Sequence, residues 1–142
     1  MSTPLPLLLL SLSVVLLLGG CSSSDPLPSA HSSNPLPECP DSPNCERLST
    51  DYPVAPDTLF TAARTALDAL GPTRIELQPD TMQASAVYRV ALVFKDDVRI
   101  AVDSTTTGST LHVRSASRVG HSDLGVNRRR VRRLLQRVEA AL

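Results

Sequence analysis

Leu18-Gly19-Gly20-Cys21 closes an apolar run of leucines and valines and has the form of a lipobox. The chemistry expected there is cleavage before Cys21 and attachment of long acyl chains, palmitate among them, to that cysteine. Two more cysteines, Cys39 and Cys45, frame CPDSPNC. With Cys21 taken by lipid, an even remainder in an exported chain argues for a disulfide. Pro40, Pro43 and Asn44 are turn formers suited to closing so small a ring. The gap is not the two-to-four-residue spacing of zinc sites, and no second pair follows. Neither cysteine begins the haem-attachment or C-x-x-C redox pattern. No metal and no cofactor is expected.

Charged residues with chemical potential lie further on. Asp96 and Asp97 are adjacent, and Arg114, Arg118, His121 and Asp123 follow. Asp and Arg together can position a phosphate or acyl group. A nucleophilic triad from His121, Ser122 and Asp123 is poor, because adjacent residues do not align their side chains as a triad requires. Six arginines crowd the end of the chain: Arg128, Arg129, Arg130, Arg132, Arg133 and Arg137. Helical neighbours of like charge, such as Arg128 and Arg132, repel. Arg128 to Arg130 also face the positive end of the helix dipole. Compensating anions are expected, either internal (Asp96, Asp97, Asp103, Asp123) or external, such as anionic lipid phosphates.

The elements that position these groups are legible in part. Asp57 to Leu70 has apolar residues at helical spacing, with Asp57 placed to cap it and Gly71-Pro72 to end it. Ile75 and Leu77 mark a short strand. Met82, Ala84, Ala86, Tyr88, Val90, Leu92 and Phe94 alternate as one face of a strand. Lys95-Asp96-Asp97 reads as a polar turn, Val98, Ile100 and Val102 as the next inward face, and Leu111 and Val113 as a fourth strand. Leu124 to Leu142 forms a second helix with Leu124, Val131, Leu134, Leu135, Val138 and Leu142 on its apolar stripe, Ser122 or Asp123 capping it. The expected fold is α+β: a two-layer sandwich of helix, four-stranded antiparallel meander and helix. Its other sheet face carries Arg89, Arg99, His112, Arg114 and Arg118 among small residues, as a solvated surface or a shallow anion-binding one.

Residues 1–20 read as a lipoprotein signal peptide, since the apolar stretch is too short to span a bilayer. Residues 21–37 hold the lipidated Cys21 and a Ser/Pro-rich, disordered tether. Residues 38–142 form the single domain. Several acyl chains anchor stably where one does not, so the chain is placed in the cell envelope. Ser22, where Asp would favour inner-membrane retention, resembles outer-membrane sequences facing the periplasm. The chain has 14 basic and 14 acidic residues, no Trp, two Phe and two Tyr. Nucleic-acid binding by base stacking is therefore not expected.

CPDSPNC, FKDDVRIAVD and RSASRVGHSDLGVNRRR together resemble the domain-of-unknown-function family numbered 1499, over residues 38–142. Its members are commonly exported or lipid-anchored, in keeping with Cys21. The family's motif positions fall on Cys39, Pro40, Ser42, Pro43, Asn44, Cys45, Asp96, Asp97, Arg114, Ser115, Ser117, Arg118, Gly120, Ser122, Asp123, Gly125, Asn127 and Arg128. Glu46-Arg47 departs from the small residues members often carry there. The resemblance implies no reaction and no ligand.

The leading expectation is a non-enzymatic envelope lipoprotein that binds or scaffolds an anionic lipid or an envelope protein. One alternative is an enzyme built from Asp96, Asp97, Arg114, Arg118, His121 and Asp123. Convergence of these groups in one concave pocket would favour it, and a surface pairing of Asp97 with Arg118 would disfavour it. The other alternative is an internal Asp–Arg network that fixes the last helix to the sheet.

Overall fold

The structure, a computed structural model, describes residues 34–142. The lipobox, Cys21 and most of the expected tether lie outside the described residues. The element order is β1 (Cys45–Tyr52), α1 (Pro56–Asp68), β2 (Arg74–Gln78), a 3₁₀ turn (Pro79–Thr81), β3 (Gln83–Val90), β4 (Phe94–Thr105), β5 (Gly108–Ser117) and α2 (Val126–Ala141). The strands form one antiparallel sheet in the order β1-β5-β4-β3-β2. The α+β class and the meander stand, but the sheet has five strands where the sequence suggested four.

The extra strand is β1. CERLSTDY carries only Leu48 and Tyr52 as large apolar residues, too few for a clear alternation. Its conformation is set by the free edge of β5, along which it pairs from Cys45 opposite Ala116 to Tyr52 opposite Ser109.

Both helices cover the same sheet face. Leu59, Ala63 and Leu67 of α1 and Val131, Leu134 and Val138 of α2 pack on Leu48, Val98, Ile100, Leu111 and Val113. Pro56 opens α1 with its ring at a position where no intrahelical N–H is needed, and Asp57 lies in the first turn without capping it. The α2 stripe is shorter than expected. Leu124 lies before the helix and is exposed, as is Leu142, and Gly125 takes the N-cap position in a left-handed conformation.

The β3–β4 turn also sits elsewhere. It falls at Ala91–Val93, and Lys95-Asp96-Asp97 lies within β4. Leu92 and Phe94 are consequently exposed instead of facing inward. Asp96, read as a turn residue, is only 1% exposed, because the strand alternation turns it toward the helices.

The opposite face is not wholly solvated. His112, Ala101 and Ala116 are buried there. Asn34–Pro37, assigned to the tether by composition, packs as a strap instead. Asn34 Nδ2 donates to Leu48 O at 2.9 Å, and Arg47 donates to the carbonyls of Leu36 (Nε, 3.1 Å) and Asn34 (Nη2, 2.8 Å). A Pro-rich segment that lacks ladder donors is held here by side-chain hydrogen bonds and by burial of Leu36.

Candidate functional site

The inner sheet face turns polar where β1 begins and β5 ends. Glu46, Ser115 and Val98 form one cross-strand row, and Ser117 and Asp96 are paired in the next. The start of α2 descends onto this end. Asp123 organises it: its Oδ1 accepts from Gly125 N at 2.8 Å and its Oδ2 from Asn127 N at 2.6 Å. These bonds satisfy amides at the helix start that have no intrahelical acceptor. Burial disfavours ionisation of Asp123, but the amides of Asn127 and Gly125 and the Asn127 side chain outweigh it, so its pKa lies below 3.8.

Asn127 then links four parts of the chain. Its Nδ2 approaches Asp123 Oδ2 at 2.6 Å, Ser117 Oγ at 2.9 Å and the main-chain carbonyl of Asn44 at 2.9 Å. Its Oδ1 accepts from Ser115 Oγ at 2.5 Å and Arg130 Nη1 at 2.9 Å. Arg130 Nη1 also stands 2.8 Å from Asp96 Oδ2, a charge contact outside hydrogen-bond alignment. The Arg130 guanidinium lies 4.9 Å from the centroid of the Tyr88 ring, a cation–π distance. Tyr88 OH donates to Leu67 O at 2.6 Å, and burial, partly offset by Arg130, pushes its pKa up to about 12. The Cys39–Cys45 disulfide is present, with Cα atoms 5.7 Å apart. Its ring holds Asn44, whose Oδ1 accepts from Ser42 Oγ at 2.7 Å and whose Nδ2 donates to Gly120 O.

The outer face carries a different constellation. Arg47 stands opposite Arg114, and Arg114 opposite Arg99, a cationic row across β1, β5 and β4. Ser85 and Glu76 continue it on β3 and β2. The nearby carboxylates each have a cationic partner, and one of these partners, Arg47, belongs to the row. Arg118 grips Asp97 through Nε (2.9 Å to Oδ2) and Nη2 (2.7 Å to Oδ1), Glu76 pairs with Arg74, and Glu38 with Arg47 at 3.1 Å. Arg114 Nε is buried without an acceptor. Burial lowers the pKa of Arg114, as do Arg99 and Arg47, while Asp97 pulls it back. A hollow of about 230 Å³ opens beside the row, lined by Arg74, Glu76, Ser85, Val87, Asp97, Arg99 and Arg118.

The same face holds Ser49, His112 and Asp103 in the connectivity of a nucleophilic triad. His112 Nε2 lies 3.1 Å from Asp103 Oδ2 and His112 Nδ1 2.7 Å from Ser49 Oγ. A neutral ring donates to the carboxylate through Nε2 and accepts the serine hydroxyl at Nδ1. The ring nitrogens are reversed relative to the usual triad. Ser49 is 0% exposed, so no substrate carbonyl reaches its oxygen.

The candidate enzyme set does not converge. Asp96 faces the interior with Arg130, and Asp97, one residue on, faces outward to Arg118. Arg114 lies in the cationic row, Asp123 holds the helix start, and His121 and Arg128 are exposed. Asn127 is buried at the centre of the network. The sequence groups Arg130 with the other arginines of the last helix and His112 with the outer sheet face, but gives no sign of the roles of Arg130 and Arg47 or of the Ser49–His112 contact. The burial of Arg130, though, had a usable signal, since Asn127, Arg130, Val131, Leu134 and Val138 share one helical stripe. Among the described residues no group of three or more His, Cys, Asp or Glu is placed to hold a metal. No helix among them is long and apolar enough to cross a membrane.

A crystal structure of protein CV1439 from Chromobacterium violaceum is similar in fold, with a TM-score of 0.52 at 13% identity. The match covers 69% of this chain and 96% of that one. Among curated proteins none matches the sequence. A family model described as protein of unknown function (DUF1499) matches residues 35–138, from the strap through the last buried residue of α2. Both CPDSPNC and the RSASRVGHSDLGVNRRR segment lie within that span and meet at Asn127, and the chain belongs to this family.

Proposed function

We propose that the chain is a lipid-anchored cell-envelope protein whose packed domain binds, without catalysis, a phosphate-bearing anion on its outer sheet face. Cys21 supplies the anchor, and Ser22 points to the periplasmic side of an outer membrane. The observation that carries the binding reading is the row Arg47–Arg114–Arg99. Like charges directly opposite each other weaken a sheet, and a buried donor without a partner costs about 1–3 kcal/mol. An anion held by Arg99 in the adjoining hollow offsets the first of these costs. The planar guanidinium fork suits phosphate oxygens, and the adjoining hollow of about 230 Å³ has room for one small group.

Two measurements test this. Labelling cells with radioactive palmitate should mark the wild-type chain and not Cys21→Ala. Titration of the full chain with inorganic pyrophosphate, and separately with short-chain phosphatidylglycerol, distinguishes free phosphate from a headgroup. Losing a charge-assisted hydrogen bond should weaken binding about tenfold or more in Arg99→Ser and Arg114→Gln. Equal affinity of wild type and both variants for each probe sinks the binding reading.

A structural role is the better reading for Asp96, Asp123 and Asn127. All three are consumed by partners within the chain. They position the outer-face strands through α2 and β5 without touching a ligand.

A further inference from the structure

We infer that the end of the sheet where β1 begins and β5 ends rests on an anionic phospholipid surface, with its exposed apolar residues inserted among the headgroups. Leu92 is 87% exposed, Val93 75% and Phe94 50%, all at the β3–β4 turn. The loop after β5 comes to the same end, where Arg118 N donates to Lys95 O at 3.0 Å. It adds Val119 at 58% and Leu124 at 85% exposure. Single exposed apolar residues are ordinary, but five gathered at one end of a small domain mark an interaction surface.

Leu124 holds a left-handed backbone, φ 53°. Gly or Asn takes that conformation more readily than a bulky residue does, and no burial of this side chain offsets the strain. Around these residues stand the exposed cations Arg89, Lys95, Arg128 and Arg129. An apolar tip ringed by cations complements a bilayer interface with negative headgroups, whereas a purely apolar partner would leave the cations unpaired.

The length of chain that precedes the described residues allows this placement. Twelve residues separate Cys21 from Asn34, and at about 3.1 Å each they span up to about 40 Å. Asn34 is fixed beside Leu48, and the Cys39–Cys45 ring returns the chain to the tip. The inference takes proximity to the membrane from the proposed Cys21 anchor and is independent of the arginine row.

The sequence contains no Trp, so a single introduced one reports its own surroundings. The lipidated full chain carrying Leu92→Trp or Leu124→Trp is reconstituted on vesicles of phosphatidylglycerol and phosphatidylcholine, beside Thr106→Trp in the turn at the opposite end. The expected result is a blue-shifted emission for Leu92→Trp and Leu124→Trp, quenched by bromine-labelled acyl chains, with Thr106→Trp unchanged. If the chain floats with vesicles but all three remain equally open to aqueous iodide, the tip proposal is overturned and the anchor stands. If the chain does not float, both fall.

Discussion

Asn127 Nδ2 lies 2.9 Å from the main-chain carbonyl of Asn44, joining residues 83 apart in sequence. The contact unites the small disulfide ring with the start of the last helix. Ser117 N donates to the same carbonyl at 3.0 Å, so the end of β5 is held at that point too. The two segments that carry the family signature are thus two sides of one buried polar network, which explains their residue types without invoking a ligand.

Asn127→Ala should lower unfolding stability by about 3 kcal/mol, since it leaves several buried polar groups without partners. Asn127→Asp should cost more, because it sets a second carboxylate beside Asp123. Urea denaturation followed by circular dichroism measures both. A change below about 0.5 kcal/mol, the range of an ordinary surface substitution, would mean that the network does not hold the helix.

Two acids in this region should respond to pH in opposite senses. Burial raises the Glu46 pKa above 4.5, against the pull of Arg128 and Arg132. The folded state therefore prefers the protonated acid. The stability Glu46 contributes is fully present below 4.5 and is lost as pH rises through its folded value. Glu46→Gln should thus raise the melting temperature at pH 7, with the gain shrinking to nothing below about pH 4. The Asp123 pKa lies below 3.8, so its contribution is present above 3.8 and is lost as pH falls through the folded value. Asp123→Asn should be destabilising at pH 7 and neutral in strong acid. Thermal melts of the two variants from pH 3 to 8 should diverge in these directions.

The helices and three of the inward strand faces were readable because Leu59, Ala63 and Leu67, or Val98, Ile100 and Val102, repeat at the period of their element. Two features of the sheet were not readable. β1 has no strong pattern of its own and is specified by the edge of β5, a long-range cause. The β3–β4 turn departs from the pattern because its residues invert the usual chemistry. Leu92 and Val93 occupy the turn, while Asp96 is buried in the strand with Arg130 as its counterion. In the second respect the local rule fails at the end of the sheet that carries the polar network and the exposed tip. The cationic row was half legible: Arg99 and Arg114 fell on one face by alternation, but Arg47 joined them only through β1.

Removing charge from that row should separate stability from binding. Arg99→Ser relieves repulsion with Arg114 across β4 and β5, an effect of roughly 0.2–1 kcal/mol for such cross-strand pairs. The variant should melt higher than wild type at low salt, and the difference should fade as salt screens the charges. A lower melting temperature at low salt would show that Arg99 is held by internal acceptors, and would count against an external anion.

Reduction of Cys39–Cys45 should destabilise the domain by about 2 kcal/mol, the loop-closure contribution expected for a ring this small. The ring also sets the Asn44 carbonyl, so the effect should be coupled to Asn127. In the Asn127→Ala background, added reductant should lower stability by less than it does in wild type. Strict additivity would mean that the ring and the network act independently.

The Ser49–His112–Asp103 chain gives the last expectation. Its connectivity matches a hydrolytic triad, but reaction requires an attacking oxygen within reach of a substrate carbonyl. Ser49 Oγ is sealed in the sheet face and bonded to His112 at 2.7 Å, and the strap from Asn34 runs alongside, tied to Leu48. A fluorophosphonate probe should therefore leave the folded chain unlabelled. Ser49→Ala should cost about 1 kcal/mol for the lost hydrogen bond and change no binding. Labelling of wild type that Ser49→Ala abolishes would mean that the strap opens and the serine is a nucleophile. The non-enzymatic reading of the outer face would then give way to acyl transfer at Ser49.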